Sequence, residues 1–288
     1  MNEISTYEKD ALAKIHEWKD PSLSRLDKAL SFAGMPMDKA ADLITKVPGV
    51  SRAVEKSVGR IMSVANDVAQ WSVRSESILK EYRSVGHEVE SLEDIRKLDL
   101  EEVDKAIGRL AAKYEALSVG EGVATGFTGI FGVPADVAAL AALNLRAIGE
   151  YATYCGFDVA LPEEKLFAMS ILELASSPDS QAKKKALSQL VRVARDAATK
   201  TLSRNAHKSA MAALVERIAR TLGVRLTYDK VAQFLPVAGA IVGGGTNGIY
   251  TAKVCKGAHN LYRERFLAEK YGSELIELTV EPAEFESE

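Results

Sequence analysis

The stretch VAGAIVGGGTNGIYTA, Val237 to Ala252, decides the fold. Read as a phosphate loop it implies an α/β protein, read as a span it implies a membrane protein, and read as a packing surface it implies a helical bundle. Gly243-x-Gly245-x-x-Gly248 matches the dinucleotide fingerprint in letters. That fingerprint works only as a strand-to-helix turn in a βαβ unit, and nothing around it supplies strands. Gly239-x-x-x-x-Gly244 begins a P-loop, but Gly245 stands where the lysine belongs, before Thr246. Without that cation the γ-phosphate loses its main charge partner. Nucleotide binding is therefore set aside.

Val231 to Ala252 carries no charged residue, and Gly122 to Leu145 carries one, Asp136. Either run is long enough to span a bilayer. Both, however, are dominated by Gly, Ala and Thr, with Pro134, Pro236 and Asn247 inside them, whereas Leu, Ile and Phe drive insertion. A single-pass span is not expected, and contact with the membrane interface stays open. Packing fits best. Gly122, Gly126, Gly129 and Gly132 follow steps of four, three and three, and Gly239 and Gly243 are four apart. On a helix such glycines form a smooth groove that another backbone can approach closely. The two blocks are expected to pack on each other at the centre of the protein.

The rest of the chain supports an all-α, multi-helix globular bundle. Hydrophobic residues make up 47% of the 288 and aromatics only 7%, with much alanine, which favours close-packed helices over strands. Ile4, Tyr7, Ala11, Ile15 and Trp18 share one helix face. A periodic stretch runs from about Val50 to Val85, with Val54, Val58, Ile61, Val64, Val68 and Trp71 in line. Ser91 with Asp94 reads as a capping box. Asp99 reads as the N-cap of one helix carrying Val103, Ile107, Leu110, Tyr114 and Leu117. Gly156 is a C-cap, and Pro162 with Glu163 and Glu164 starts a helix that runs to about Ala175. Leu187, Leu190, Val191, Ala194, Ala198 and Leu202 form the apolar stripe of a basic helix, and a further helix with Met211, Leu214, Ile218 and Leu222 ends at Gly223. Only ELIELTV, near the C-terminus, alternates like a strand. The organisation expected is one helical domain over residues 1–272, with 1–90 as a candidate subdomain and 273–288 as an acidic mobile tail.

Charge is unevenly spread. Lys183 to Lys230 holds twelve basic and three acidic residues, a local net of +9, while Glu121 to Ala182 holds two basic and eight acidic ones. Arg192, Arg195, Lys200, Arg204 and Lys208 lie mostly off the apolar stripe. They read either as a plain solvated face or as a surface for anionic lipid or an acidic partner. No aromatics interleave with them, so nucleic acid is not an expected partner. The two cysteines, Cys155 and Cys255, have no metal-ligand spacing and read as free thiols of a reducing compartment. The first eighteen residues lack the apolar run of a signal peptide, so the cytoplasm, or the inner face of its membrane, is the expected address.

Chemistry is sparse. His16, His87, His207 and His259 have no paired spacing, and no nucleophile elbow occurs. No metal or cofactor is expected. The candidate polar cluster is Glu121, Asp136, Asn144, Arg146, Thr246 and Asn247, beside or within the glycine blocks. If Pro134 opens a helix, Asp136 sits in its first turn, where a carboxylate suits the dipole. Arg146 and Glu150 are spaced to pair along a helix. Thr246 and Asn247 could answer Asp136 or Glu121 across the packed blocks, since a buried carboxylate needs donors.

GEGVATGFTGIFGVPADVAALAALNLRAIGEYATYCGFD, PEEKLFAMSIL and FLPVAGAIVGGGTNGIYTAKVCKGAHNLYRERFLAEKYG, in that order, resemble the EcsC protein family of bacteria, and the early YEKDALAKIHEWKD is similar to its N-terminal element. The resemblance covers most of the chain. It implies a cytoplasmic or membrane-peripheral helical protein linked to transport, because the family is named from a gene accompanying the ATPase and membrane subunits of an ABC transporter. It carries over no catalytic residues. The leading expectation is a non-enzymatic, membrane-peripheral protein that meets an anionic membrane surface or a transporter-associated protein and serves an ABC transporter or a cell-envelope process. The alternatives are a hydrolase-like enzyme or small-ligand binder with its polar site between the glycine blocks, and an adaptor that docks an acidic partner through the basic helix.

Overall fold

The computed structural model describes residues 3–19, 50–67, 73–125, 129–177, 180–199, 204–232, 245–272 and 275. Among them the chain is all α-helical. In order the helices are α1 (Thr6–Lys19), α2 (Val50–Asn66), α3 (Ser75–Ser84), α4 (Leu92–Ile95), α5 (Leu100–Ile107) and α6 (Leu110–Thr125). They continue with α7 (Gly129–Tyr154), α8 (Pro162–Ser176), α9 (Ser180–Thr199), α10 (Arg204–Ala232) and α11 (Gly245–Tyr271). No described helix is long and apolar enough to cross a membrane. Trp71, most of the second glycine block, ELIELTV past Leu275 and the acidic tail lie outside the described residues.

The bundle is organised around α11. Its Tyr250, Val254, Ala258, Leu261, Tyr262, Phe266 and Leu267 are all buried. Burying a large apolar side chain stabilises by about 1.5 to 3 kcal/mol, so this helix is a main source of hydrophobic stability. Its neighbours can be read from contacts along its length. Against α8, Tyr250 Oη meets Ser176 Oγ at 2.8 Å, the Phe167 and Tyr262 rings meet edge to face, and Arg265 reaches Glu164, so the two helices run antiparallel. Against α6, Thr251 Oγ1 donates to Ser118 Oγ at 2.9 Å, and a Cβ on Gly248 would come within 2.9 Å of a Val119 methyl. Alanine there would force Val119 aside. Helices α6 and α7 form an antiparallel hairpin, closed near its far end by Lys113 on Glu150 at 2.8 and 2.9 Å. Helix α7 also packs on α2, α10 and α8, and α2 packs on both α7 and α10.

Burial removes charge from water at the C-terminal half of α11, and each ion there is matched. Arg263 pairs with Asp104 of α5 at 2.8 Å, Glu264 pairs with Lys19 of α1, and Arg265 grips both oxygens of Glu164 of α8 at 2.6 Å. Lys19 and Glu264 are each about 2% exposed. Burial pushes the Glu264 carboxyl up, and Lys19 pulls against that shift. Arg265 also stacks over the Phe157 and Phe167 rings, 4.3 and 4.5 Å from their centroids. Helix α1 is tied again at its other end: Lys270 Nζ donates to Glu8, Asp99 and the Leu98 carbonyl at 3.0 Å each, and Tyr271 donates to Glu8.

Several sequence expectations hold. The Ser91–Asp94 capping box forms, with Ser91 N–H donating to Asp94 at 2.9 Å, and Pro162 is the first residue of α8. Gly156 caps α7 at φ 82°, and a Cβ there would sit 2.5 Å from the Leu92 carbonyl, so no other residue fits. Leu187, Leu190, Val191 and Ala194 are buried, as the stripe of α9 requires.

Others are corrected. The single helix expected from Asp99 to Leu117 is two, α5 and α6, because Gly108 adopts φ 52° and breaks the run; Leu117 is then half exposed. Asp99 holds the N-cap position but gives its carboxylate to Lys270. Gly223 does not end a helix. Helix α10 continues to Ala232 because Leu226 and Thr227 remain buried beyond it, with Thr227 Oγ1 donating to the Gly223 carbonyl. Pro134 does not open α7 either, since that helix starts at Gly129 and holds the proline inside it.

Two expectations follow for stability. Removing one member of a buried ion pair strands the other, so Lys19→Met should cost about 4 kcal/mol in urea unfolding, and adding Glu264→Leu should recover most of the loss. For Glu8, burial alone raises the carboxyl, but Ser5 N–H, Tyr271 and Lys270 outweigh it and hold it at about 2. Its contribution is present in full above the ordinary glutamate value and fades as pH falls towards about 2. Glu8→Gln should therefore be less stable than wild type at neutral pH, with the gap closing on acidification.

Candidate functional site

The residues singled out from sequence fall into two groups. In the glycine-block cluster, Asp136 is buried on α7, seven residues into the helix and beyond the unpaired amides of its first turn, so the dipole argument for it fails. Asn144 is fully buried, and its Nδ2 donates within the same helix to the Leu140 carbonyl at 2.8 Å while Oδ1 has no hydrogen-bond partner. Asn247, at the start of α11, also has a buried Oδ1 without a partner. Arg146 does not take Glu150, which goes to Lys113 of α6. The backbones of Glu121 and Thr246 lie in α6 and α11, but their side chains, like the expected glycine groove, fall outside what is described.

The second group is the basic surface. Arg192 and Lys208 are exposed, on α9 and α10. The side chains of Arg195 and Arg204, and all of Lys200, lie outside the described residues. Helix α9 buries its apolar stripe against α8 and so turns its polar face outward. That leaves Lys184, Lys185 and Arg192 exposed on α9, beside exposed Arg217 and Arg220 on α10.

Beneath this face, α8, α9 and α10 enclose a half-open cleft of about 240 Å³. Its polar lining includes Glu173, Lys185, Gln189, Arg217, Arg220 and Thr221. Glu173 stands inward from α8, 9% exposed. Its Oε1 accepts from Arg217 Nε, while Oε2 is buried with no hydrogen-bond partner. Arg217 Nη2 also reaches Gln189 Oε1, weakly, at 3.4 Å, and Arg220 chelates Glu216 on the solvent side. Sequence reasoning missed this cleft. The usable signals were a glutamate inside the apolar run LFAMSILELA, the i,i+3 pair Arg217 and Arg220, and the i,i+4 pair Lys185 and Gln189, each of which puts two side chains on one face.

A third polar group also escaped the sequence. Asp104 accepts from Tyr7 Oη at 2.7 Å, from Arg263 at 2.8 Å and faces His259 Nε2 at 3.2 Å. Burial would raise this carboxyl, but His259, Arg263 and Tyr7 together hold it below the ordinary aspartate range. Cys255, one turn before His259, is fully buried, and burial pushes its thiol up to about 12. Such a thiol stays protonated and unreactive at neutral pH. The Asp104 group ties α1, α5 and α11 together. Among the described residues no cluster of His, Cys, Asp and Glu could hold a metal ion.

Comparison with known proteins places this architecture. The uncharacterized protein YdbA of Bacillus subtilis (strain 168) is 26% identical over 274 residues, covering 94% of this chain and 92% of YdbA. Protein EcsC of the same organism is 27% identical over 179 residues, 62% of this chain and 70% of that protein. No solved structure matches. The EcsC protein family model matches residues 9–267, from α1 to the buried ion pairs of α11, and the chain accordingly belongs to the EcsC protein family.

Proposed function

We propose that this protein is a non-enzymatic, membrane-peripheral helical protein that attaches to anionic lipid through the face formed by α9 and α10. One observation carries the reading: Leu187, Leu190, Val191 and Ala194 of α9 are consumed inside the bundle, and Lys184, Lys185 and Arg192 stand exposed beside Arg217 and Arg220 of α10. A basic residue near an anionic bilayer contributes about 1 kcal/mol of attraction. Several such residues on one face suffice for reversible attachment without a buried anchor. The attraction acts over a Debye length of about 8 Å at physiological salt, so the face must lie flat on the surface. Placement beside a membrane transporter at the inner face of the membrane is the role this attachment would serve.

The reading is tested by vesicle flotation of the full chain. Binding to vesicles rich in phosphatidylglycerol, absence from phosphatidylcholine vesicles and release at high salt are expected. Lys184→Glu, Lys185→Glu and Arg192→Glu together should abolish flotation and leave the thermal midpoint within a few degrees, because exposed side chains away from special features contribute little to stability. Equal flotation on both vesicle types, or no effect of the triple reversal, would sink the proposal.

A further inference from the structure

We infer that the cleft between α8, α9 and α10 is a binding site for a phosphate ester of headgroup size that carries a hydroxyl or ammonium donor next to its phosphate. The cleft presents two complementary deficits. Three cations line it, and each has hydrogen-bonding capacity left. Among the described residues Lys185 has no ion pair and Arg217 Nη1 has no bond, while Arg220 uses Nε and Nη2 on Glu216. Guanidinium and ammonium groups brought together this way match the three oxygens of a phosphate. The second deficit is opposite in sign. Glu173 is buried, lines the same cleft and keeps one carboxylate oxygen, Oε2, without a donor. Buried polar atoms without a partner are rare in folded proteins, and each calls for an explanation.

A phosphate alone would meet the first deficit and be repelled by the second. An ester with an adjacent hydroxyl or ammonium meets both, with the phosphate on Lys185, Arg217 and Arg220 and the donor on Glu173. Size narrows the class further. At about 240 Å³ the cleft lies below the range of pockets that enclose drug-sized ligands, a size that suits a glycerol or ethanolamine phosphate. The inference builds on the membrane-facing reading, since Lys185, Arg217 and Arg220 belong to the face proposed to meet lipid. A lipid headgroup and a free phosphoester share the recognised chemistry.

Calorimetric titration of the full chain with glycerol 3-phosphate, phosphoethanolamine and methyl phosphate tests the site. The first two should bind about tenfold more tightly than methyl phosphate, as the gain of one charge-assisted hydrogen bond requires. Lys185→Gln, an exposed change that leaves folding intact, should weaken all three by about tenfold. Glu173→Gln should erase the preference for the donor-bearing esters. Glycerol 3-phosphate competing with flotation on phosphatidylglycerol vesicles would identify the lipid headgroup as the source, and ester binding without competition would identify a soluble phosphoester. Methyl phosphate binding as well as the others, or affinities unchanged in Lys185→Gln, would overturn the site. The two readings separate cleanly: flotation without ester binding sinks the cleft alone, and ester binding without flotation sinks the membrane face alone.

Discussion

Taking an ammonium, a guanidinium or a carboxylate out of water costs several kcal/mol per ion, and α11 does so at three successive residues, Arg263, Glu264 and Arg265. Neighbours on a helix point about 100° apart, so one partner helix cannot serve all three. The chain answers with α5, α1 and α8, each sending one opposite charge inward. This fixes the rotation of α11 about its own axis and the heights of its three neighbours. Apolar packing further up the helix, from Tyr250 to Leu261, is then presented to α6, α7 and α8 in a set orientation. Hydrophobic burial supplies most of the stabilisation, but by itself it is non-directional. The ions make it directional.

Charge is used differently at the other edge of the bundle. Around α11 the ion pairs are dry and internally matched, which leaves little for a partner to read. On α9 and α10 the cations outnumber their carboxylates and face water. Arg217 belongs to both regimes: its Nε serves the buried Glu173, and the remainder of its guanidinium looks into the cleft. The one glutamate on that wall gives the otherwise basic surface a means of choosing among anions, since specificity comes from groups that reject as much as from groups that attract.

Much of the architecture was legible in the residues. Helix class, the start of α8 at Pro162, the cap at Gly156 and the stripe of α9 all depend on local chemistry, such as a fixed φ, a missing Cβ or a 3.6-residue period. The failures share another cause. Gly108 breaks a helix through its positive φ while Gly223 does not, and Pro134 is carried inside α7, so neither a glycine nor a proline settles by its type alone whether a helix continues. The same applies to function. The basic run was visible as composition, but the cleft joins Glu173 to Lys185 and Arg217, and Lys19 meets Glu264 from 245 residues away. No local pattern encodes such a meeting, although a glutamate within an apolar run and three adjacent charges flanked by Tyr262 and Phe266 each show that a partner must exist.

The alternation Arg263-Glu264-Arg265 has one more consequence, best seen by imagining α11 turned by a single residue. In one sense Arg263 would then confront Lys19 and Glu264 would confront Glu164; in the other, Glu264 would confront Asp104 and Arg265 would confront Lys19. Two of the three attractions would become repulsions between buried like charges, with no water to screen them, and the third partner would face the uncharged Tyr262 or Phe266. A run of three identical charges matched to three identical partners would tolerate that slip without complaint. The mixed sequence behaves as a parity check, in which an error of one position is detected at once and at several sites. A helix of 27 residues that packs on several neighbours needs such a check, because hydrophobic contacts by themselves are non-directional.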